Sequence, residues 1–174
     1  HLGIVFPQDR ADFRLLSPMR LAESTALYAG EHAEAVAESY LWYYANEGYK
    51  LGRIYAGMRE TLEELRERGY ALGIVTNTSR KRLRMDIDYL GVEGIVDIIV
   101  TSDDTTERKP HPAPLLKGAE KLHMPVHELA YVGDYQGDIQ AARAAGMVSV
   151  AGLWGGIFLP ETVLAEQPDY AAHH

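Results

Sequence analysis

The chain has 174 residues, of which 47% are hydrophobic and 24% charged; these proportions exclude a disordered tail and fit one compact domain. A net charge of −8 argues against binding to nucleic acid, because a phosphate backbone attracts a basic face. Without cysteine the chain has no disulfides or thiolate chemistry, and without a signal peptide or an apolar run of ~20 residues we expect a cytoplasmic protein with no membrane partner.

The first third of the chain predicts helices only. Apolar residues recur at spacings of three and four through residues 11–53, which is the period of a helix that buries one face. Gly30 separates two such segments, and Gly48 ends the second. We therefore expect residues 1–53 to form a helical unit.

From residue 54 to residue 174, short apolar runs alternate with helical segments. The predicted strands are residues 71–76, 96–101, 129–132 and 147–151, and the predicted helices are residues 60–68, 79–90, 112–122 and 137–145. Strands that alternate with helices of about ten residues predict βαβ units, a parallel sheet and helices on both of its faces. The predicted fold class is α/β, with a ligand site at the carboxyl ends of the strands.

Polar side chains follow the first two of these strands. Thr76 and Asn77 lead from the first strand into a helix, where hydroxyl and backbone N–H groups can form an anion site or simply cap the helix. Lys109 follows the second strand, and two prolines flank the neighbouring His111 and stiffen the segment. A lysine fixed in this way suits the neutralisation of a phosphoryl group, although a solvated surface lysine is the alternative.

Two carboxylates follow the third strand. Asp134 comes directly after it, and Asp138 lies four residues later at the start of a helix. Such a pair can converge on one hard cation, and Mg²⁺ commonly uses one or two carboxylates together with a substrate phosphate. The alternative is an N-cap followed by a first-turn aspartate that complements the helix dipole.

These motifs, in this order, resemble motifs two, three and four of the haloacid dehalogenase-like hydrolase superfamily. They read Val-Thr-Asn at 75–77, Lys-Pro-His-Pro at 109–112, and Gly-Asp at 133–134 followed by Asp138. The helical segment at 11–53 resembles the cap of the phosphoglycolate phosphatase and pyrophosphatase branch. The resemblance implies a three-layer, Rossmann-like parallel sheet with a helical cap inserted after the first strand.

The same resemblance implies a Mg²⁺-dependent phosphatase that hydrolyses a small phosphate monoester, such as phosphoglycolate, through an aspartyl-phosphate. It assigns catalysis to Thr76, Lys109 and Asp134, phosphate binding to Thr76, Asn77 and Lys109, and the magnesium ion to Asp134 and Asp138. The expected partner is a small phosphorylated metabolite. An inorganic pyrophosphatase and a sugar-phosphate mutase of the same superfamily are the alternatives, and a homodimer stays open.

The family's first motif, a strand ending in Asp-x-Asp whose first carboxylate is the nucleophile, is not recognisable in this sequence. One alignment places Pro7 at the nucleophile position and predicts a catalytically dead binding protein. A second alignment matches residues 1–10 to the turn before the cap and predicts a chain that begins after the motif; we prefer this alignment. The second alignment leaves a slot in the sheet, and unpaired backbone groups there are costly, so we expect residues 2–6 or a second chain to fill it; this cost is the main argument for the first alignment.

Overall fold

A computed structural model describes residues 20–173 of the chain. These residues belong to two compact units, one ending at Leu51 and the other beginning at Gly52. The described part of the first unit contains helices α1 (Leu21–Ala29) and α2 (Ala33–Asn46), with 3₁₀ turns at Gly30–His32 and Gly48–Leu51. It is entirely helical, as the periodicity predicts. Across residues 20–173, no helix combines the length and the apolar character that crossing a bilayer requires.

The second unit alternates helices and strands, which confirms the α/β class. In chain order its elements are α3 (Met58–Glu67), β1 (Gly73–Val75), α4 (Arg80–Leu90), β2 (Ile98–Val100), α5 (Ala113–Leu122), a 3₁₀ turn (Val126–Glu128), β3 (Ala130–Gly133), α6 (Gln136–Ala145), β4 (Val148–Gly152), α7 (Pro160–Leu164) and β5 (Tyr170–Ala172). The bounds of the predicted strands and helices differ from the observed ones by no more than two residues.

The strands pair in parallel, as predicted, but they form two separate ladders. In the first ladder β1 pairs with β2, and Ile74 lies opposite Ile99. In the second ladder β4 lies between β3 and β5, and Val132 lies opposite Val150. Within the described residues no strand joins β1 to β3. The slot that the sequence predicts corresponds to the division between the two ladders, which residues 20–173 leave unjoined.

An apolar groove of about 400 Å³ lies along the facing sides of β1 and β3, and we call it the inter-ladder groove. Its lining includes Met58 and Leu62 of α3, Ile74 of β1, and Ala130 and Val132 of β3. Residues 2–6, which are one of the two candidates for filling the slot, lie outside the described residues.

Helix α5 packs against β1 and β2 and shares a buried cluster with α6. Its Leu115 is 1% exposed and belongs to a buried cluster. The other members of the cluster and the side chains packed against it are Ala119, Ala141, Ala142, Ala145, Met147, Val75, Val126, Leu129 and Tyr131. Gly118 lets α5 approach β1 closely, because a Cβ at that position would lie 3.3 Å from Val75 Cγ2.

The loop after β2 is fixed by Asp104. Its carboxylate accepts hydrogen bonds from the backbone N–H and the hydroxyl of Thr101, each at 2.8 Å, and forms ion pairs with Arg80 and Lys121. Burial alone would raise the pKa of Asp104, but the two hydrogen bonds from Thr101 and the charge of Lys121 outweigh it and lower the pKa to about 2. This loop leads to Lys109, so the Asp104 contacts also hold the beginning of the segment that carries Lys109.

We expect the stability of the protein to fall as the pH drops from about 4 to about 2, because Asp104 is then protonated in the folded state. A carboxyl group whose folded-state pKa is lowered from 3.8 to about 2 stabilises the fold above the unfolded value, by on the order of 2 kcal/mol, and loses that contribution as the pH falls through both values. In Asp104→Asn this part of the pH dependence should be absent, and the free energy of unfolding at pH 7 should be lower by a similar amount.

Urea unfolding of wild type and Asp104→Asn at a series of pH values measures the difference. Glu63→Gln, at an exposed position on α3, is the matched control and should leave the pH dependence unchanged. Parallel curves for wild type and Asp104→Asn between pH 4 and 2 would contradict the assignment.

Candidate active site

The polar residues after β1 and β2 meet at the ends of the two strands. The Thr76 backbone N–H donates to the Val100 carbonyl at 2.9 Å, which extends the ladder by one residue. The Thr76 hydroxyl accepts a hydrogen bond from the Thr78 N–H at 3.1 Å and shapes the turn into α4. The first amide of α4, on Arg80, donates to the Asp103 carboxylate at 2.9 Å. The cap of α4 therefore comes from Asp103 after β2, not from a hydroxyl in the segment before the helix.

Asn77 holds the main chain of Lys109 against the end of β1. Its side-chain amide donates to the Lys109 carbonyl and its side-chain oxygen accepts from the Lys109 N–H, both at 3.1 Å. The peptide bond between Lys109 and Pro110 is cis. His111 Nδ1 accepts a hydrogen bond from the Ala113 N–H at 3.2 Å, so this histidine caps the start of α5.

The Lys109 side chain is buried, with 9% of it exposed. Its ammonium nitrogen lies 2.8 Å from Asp138 Oδ1 and 3.1 Å from the Val75 carbonyl oxygen, and it also donates to the phenol oxygen of Tyr131. An ammonium group has three hydrogens, so each of them has an acceptor. Burial alone would lower the pKa of Lys109, but Tyr131 and Asp138 raise it above its usual range, and the group stays charged.

Asp134 and Asp138 follow β3 through a tight turn. The Tyr135 N–H donates to Asp138 Oδ2 at 3.3 Å, which holds Asp138 in the first turn of α6. Gly133 provides the space, since a Cβ there would lie 2.3 Å from the Cβ of Asp138. Burial and the charge of Asp138 raise the pKa of Asp134, as expected for carboxyl groups held close together.

These two carboxylates fit a magnesium ion that takes few ligands from the protein. Mg²⁺ commonly binds one or two carboxylates and fills the rest of its shell with water and phosphate oxygens. Among residues 20–173 no three His, Cys, Asp or Glu side chains are arranged to hold a metal, so a cage built only from side chains of that part is excluded. Because Lys109 occupies one oxygen of Asp138, Asp134 is the more available ligand.

The structure brings the predicted site residues to one region of the second unit. Lys109 contacts Asn77 and Asp138 directly, Thr76 directly follows β1, and Asp134 directly follows β3. The motifs in the sequence do not identify Tyr131, which has only the pattern of a strand residue. The alternation of side chains along a strand could have identified it, because residues 131 and 133 of β3 lie on the same face of the strand. Gly133 directly precedes Asp134, so Tyr131 is on the face of β3 that leads to the site.

The parallel α/β fold with this arrangement of residues agrees with the family comparison. Residues 8–152 match the family described as haloacid dehalogenase-like hydrolase, and the chain belongs to this family. A phosphoglycolate phosphatase from Xanthomonas campestris pv. campestris is 40% identical over 103 residues, which cover 59% of this chain and 47% of the relative. Pyrophosphatase PpaX from Bacillus pumilus is 37% identical over 116 residues, which cover 67% of this chain and 53% of the relative. The predicted branch is thereby confirmed, and the chain spans about half the length of these curated relatives.

Solved structures agree with the fold. A haloacid dehalogenase-like hydrolase from Streptococcus pneumoniae superposes with a TM-score of 0.84 over 99% of this chain and 80% of its own, at 23% identity, and supports the fold alone. A hydrolase of the same superfamily from Geobacter sulfurreducens, described as subfamily IA, variant 1, is 31% identical, with a TM-score of 0.67 over 84% of this chain and 70% of its own.

Proposed function

We propose that this chain belongs to a Mg²⁺-dependent phosphatase that hydrolyses a small phosphate monoester such as phosphoglycolate. The observation that carries the proposal is the buried, charged Lys109 between the ends of β1 and β3, with Asp134 and Asp138 beside it. A fixed cation at the carboxyl ends of parallel strands suits an anionic substrate. The relatives named phosphoglycolate phosphatase support the choice of substrate class.

In this proposal Lys109 and the Thr76 hydroxyl bind oxygens of the phosphoryl group. Asn77, which the sequence assigns to phosphate, acts on Lys109 by fixing its main chain. Asp134, supported by Asp138, would hold Mg²⁺, which when bound neutralises charge on the phosphate. Binding a phosphoryl oxygen requires Lys109 to exchange one of its three present acceptors; in this proposal the exchanged acceptor is Asp138, and the contacts with Val75 and Tyr131 remain.

The proposed reaction also requires a nucleophile. In the aspartyl-phosphate route a carboxylate attacks the phosphorus atom and displaces the alcohol of the substrate. Water then hydrolyses the acyl phosphate, which releases inorganic phosphate and restores the carboxylate. Pro7, which one alignment places at the nucleophile position, lies outside the described residues. The proposed route assigns the attack to a carboxylate that lies outside residues 20–173.

We expect the full-length protein to release inorganic phosphate from phosphoglycolate in the presence of Mg²⁺ and to stop when EDTA is added. Asp134→Asn should lower the rate roughly a hundredfold, a typical effect of removing one charge-stabilising group from a site. A colorimetric assay of free phosphate makes the measurement, with Lys117→Met on the outer face of α5 as the matched control.

The same assay separates the other functions. Faster release from pyrophosphate would favour the activity named for the relative from Bacillus pumilus. A product that keeps its phosphate would indicate a mutase. If a protein with an intact Asp-x-Asp binds phosphate but releases none from any ester, the phosphatase proposal is wrong and a binding protein takes its place.

A further inference from the structure

The phenol of Tyr131 bridges the two ladders at the site. Its hydroxyl donates to the Val75 carbonyl at 2.8 Å, and its oxygen accepts from the Lys109 ammonium group. Val75 is the last residue of β1, whereas Tyr131 lies in β3. The Val75 carbonyl also accepts from Lys109 at 3.1 Å, so the three groups form a closed triangle of hydrogen bonds.

The direction of each hydrogen bond in this triangle is fixed. A carbonyl oxygen can only accept and an ammonium group can only donate, so the phenol must donate to Val75 and accept from Lys109. Burial raises the pKa of Tyr131 to about 12, despite the opposing charge of Lys109, and the phenol therefore keeps its proton. Phenylalanine would remove both contacts while keeping the ring, whose centroid lies 4.9 Å from the Lys109 nitrogen.

If the ion pair with Asp138 were its only contact, the Lys109 nitrogen could move around the carboxylate. Contact with one carboxylate fixes the distance of the nitrogen from that group but not the direction of its N–H bonds. Three acceptors fix both, and they are Asp138 Oδ1 at 2.8 Å, the Val75 carbonyl at 3.1 Å and the phenol oxygen of Tyr131. From these contacts we infer that Tyr131 is a positioning residue, which sets the direction of the Lys109 ammonium group and thereby its affinity for a phosphoryl oxygen. The inference on orientation stands on the contacts themselves, and its consequence for phosphate rests on the proposed function.

Two readouts in Tyr131→Phe test this role. The first is the hydrogen-exchange rate of the Lys109 ammonium group, measured in protein with ¹⁵N-labelled lysine and assigned by the loss of the signal in Lys109→Gln. Wild type should show a slowly exchanging signal because each hydrogen is buried and bonded. In Tyr131→Phe the exchange should quicken about fivefold, the effect of losing one ordinary hydrogen bond. The second readout is the dissociation constant of inorganic phosphate, which should rise about fivefold.

Tyr70→Phe is the matched control, because it removes a phenol oxygen from a side chain that is 61% exposed; both readouts should match wild type. The amide signals of β1 and β3 verify that Tyr131→Phe keeps its fold. An exchange rate within twofold of wild type in Tyr131→Phe, or no slowly exchanging Lys109 signal in wild type, overturns the inference even if the enzyme is active. Faster exchange in a protein that neither binds nor releases phosphate upholds the orienting role and overturns the proposed function.

Discussion

Lys109→Met should destabilise the protein by about 3–5 kcal/mol, the usual consequence of removing one partner of a buried ion pair. Asp138 is 6% exposed, and without Lys109 its carboxylate would stay in the interior without its cation. The free energy of unfolding in urea at pH 7 measures the loss.

The double variant with Lys109→Met and Asp138→Asn distinguishes the effect of an unpaired charge on stability from the effect of lost packing. Asp138→Asn removes the charge that Lys109→Met leaves without a partner, so the two substitutions together should cost less than the sum of the single effects, by about 2 kcal/mol or more. Lys117→Met breaks an exposed pair with Glu120 on the surface of α5 and should change stability by less than about 1 kcal/mol. Additive effects of Lys109→Met and Asp138→Asn would show that the pair contributes little to the fold.

Gly133→Ala should be as damaging as losing the ion pair, although it adds a single methyl group. The new Cβ would lie 2.3 Å from Asp138 Cβ and 2.5 Å from Asp138 Oδ2, distances that packed atoms do not tolerate. Asp138 must then move, and both the pair with Lys109 and the hydrogen bond from the Tyr135 N–H are disturbed. We expect a loss of about 3 kcal/mol in the free energy of unfolding, at the upper end of overpacking effects.

Gly69→Ala provides the comparison for Gly133→Ala. Gly69 has a φ of +85° and no atom within 4 Å of the position of a Cβ, so alanine there measures backbone strain without a clash, at about 1 kcal/mol. A Gly133→Ala protein as stable as Gly69→Ala would mean that Asp138 can move aside without loss and that its position is not fixed.

Local patterns in the sequence predict the elements well, and long-range contacts account for what they miss. Helix periodicity and strand-end motifs each involve residues that are close together in the sequence. The predictions for α3 to α6 and β1 to β4 therefore agree with the structure to within two residues. The contact between Tyr131 and Val75 joins positions 56 residues apart, and Asp103 caps α4 from 23 residues away. No spacing rule connects such positions, because only the packing of the strands brings them together.

The buried cluster that α5 and α6 share has a consequence for cooperativity. Leu115 of α5 belongs to this cluster, and Val75 of the first ladder and Tyr131 of the second ladder both pack against it. Unfolding either ladder would expose part of the cluster to water, and exposing apolar surface carries a free-energy cost of ~25 cal/mol per Å². The cluster thereby couples two pieces of structure that share no backbone pairing within residues 20–173, so unfolding one of them also destabilises the other.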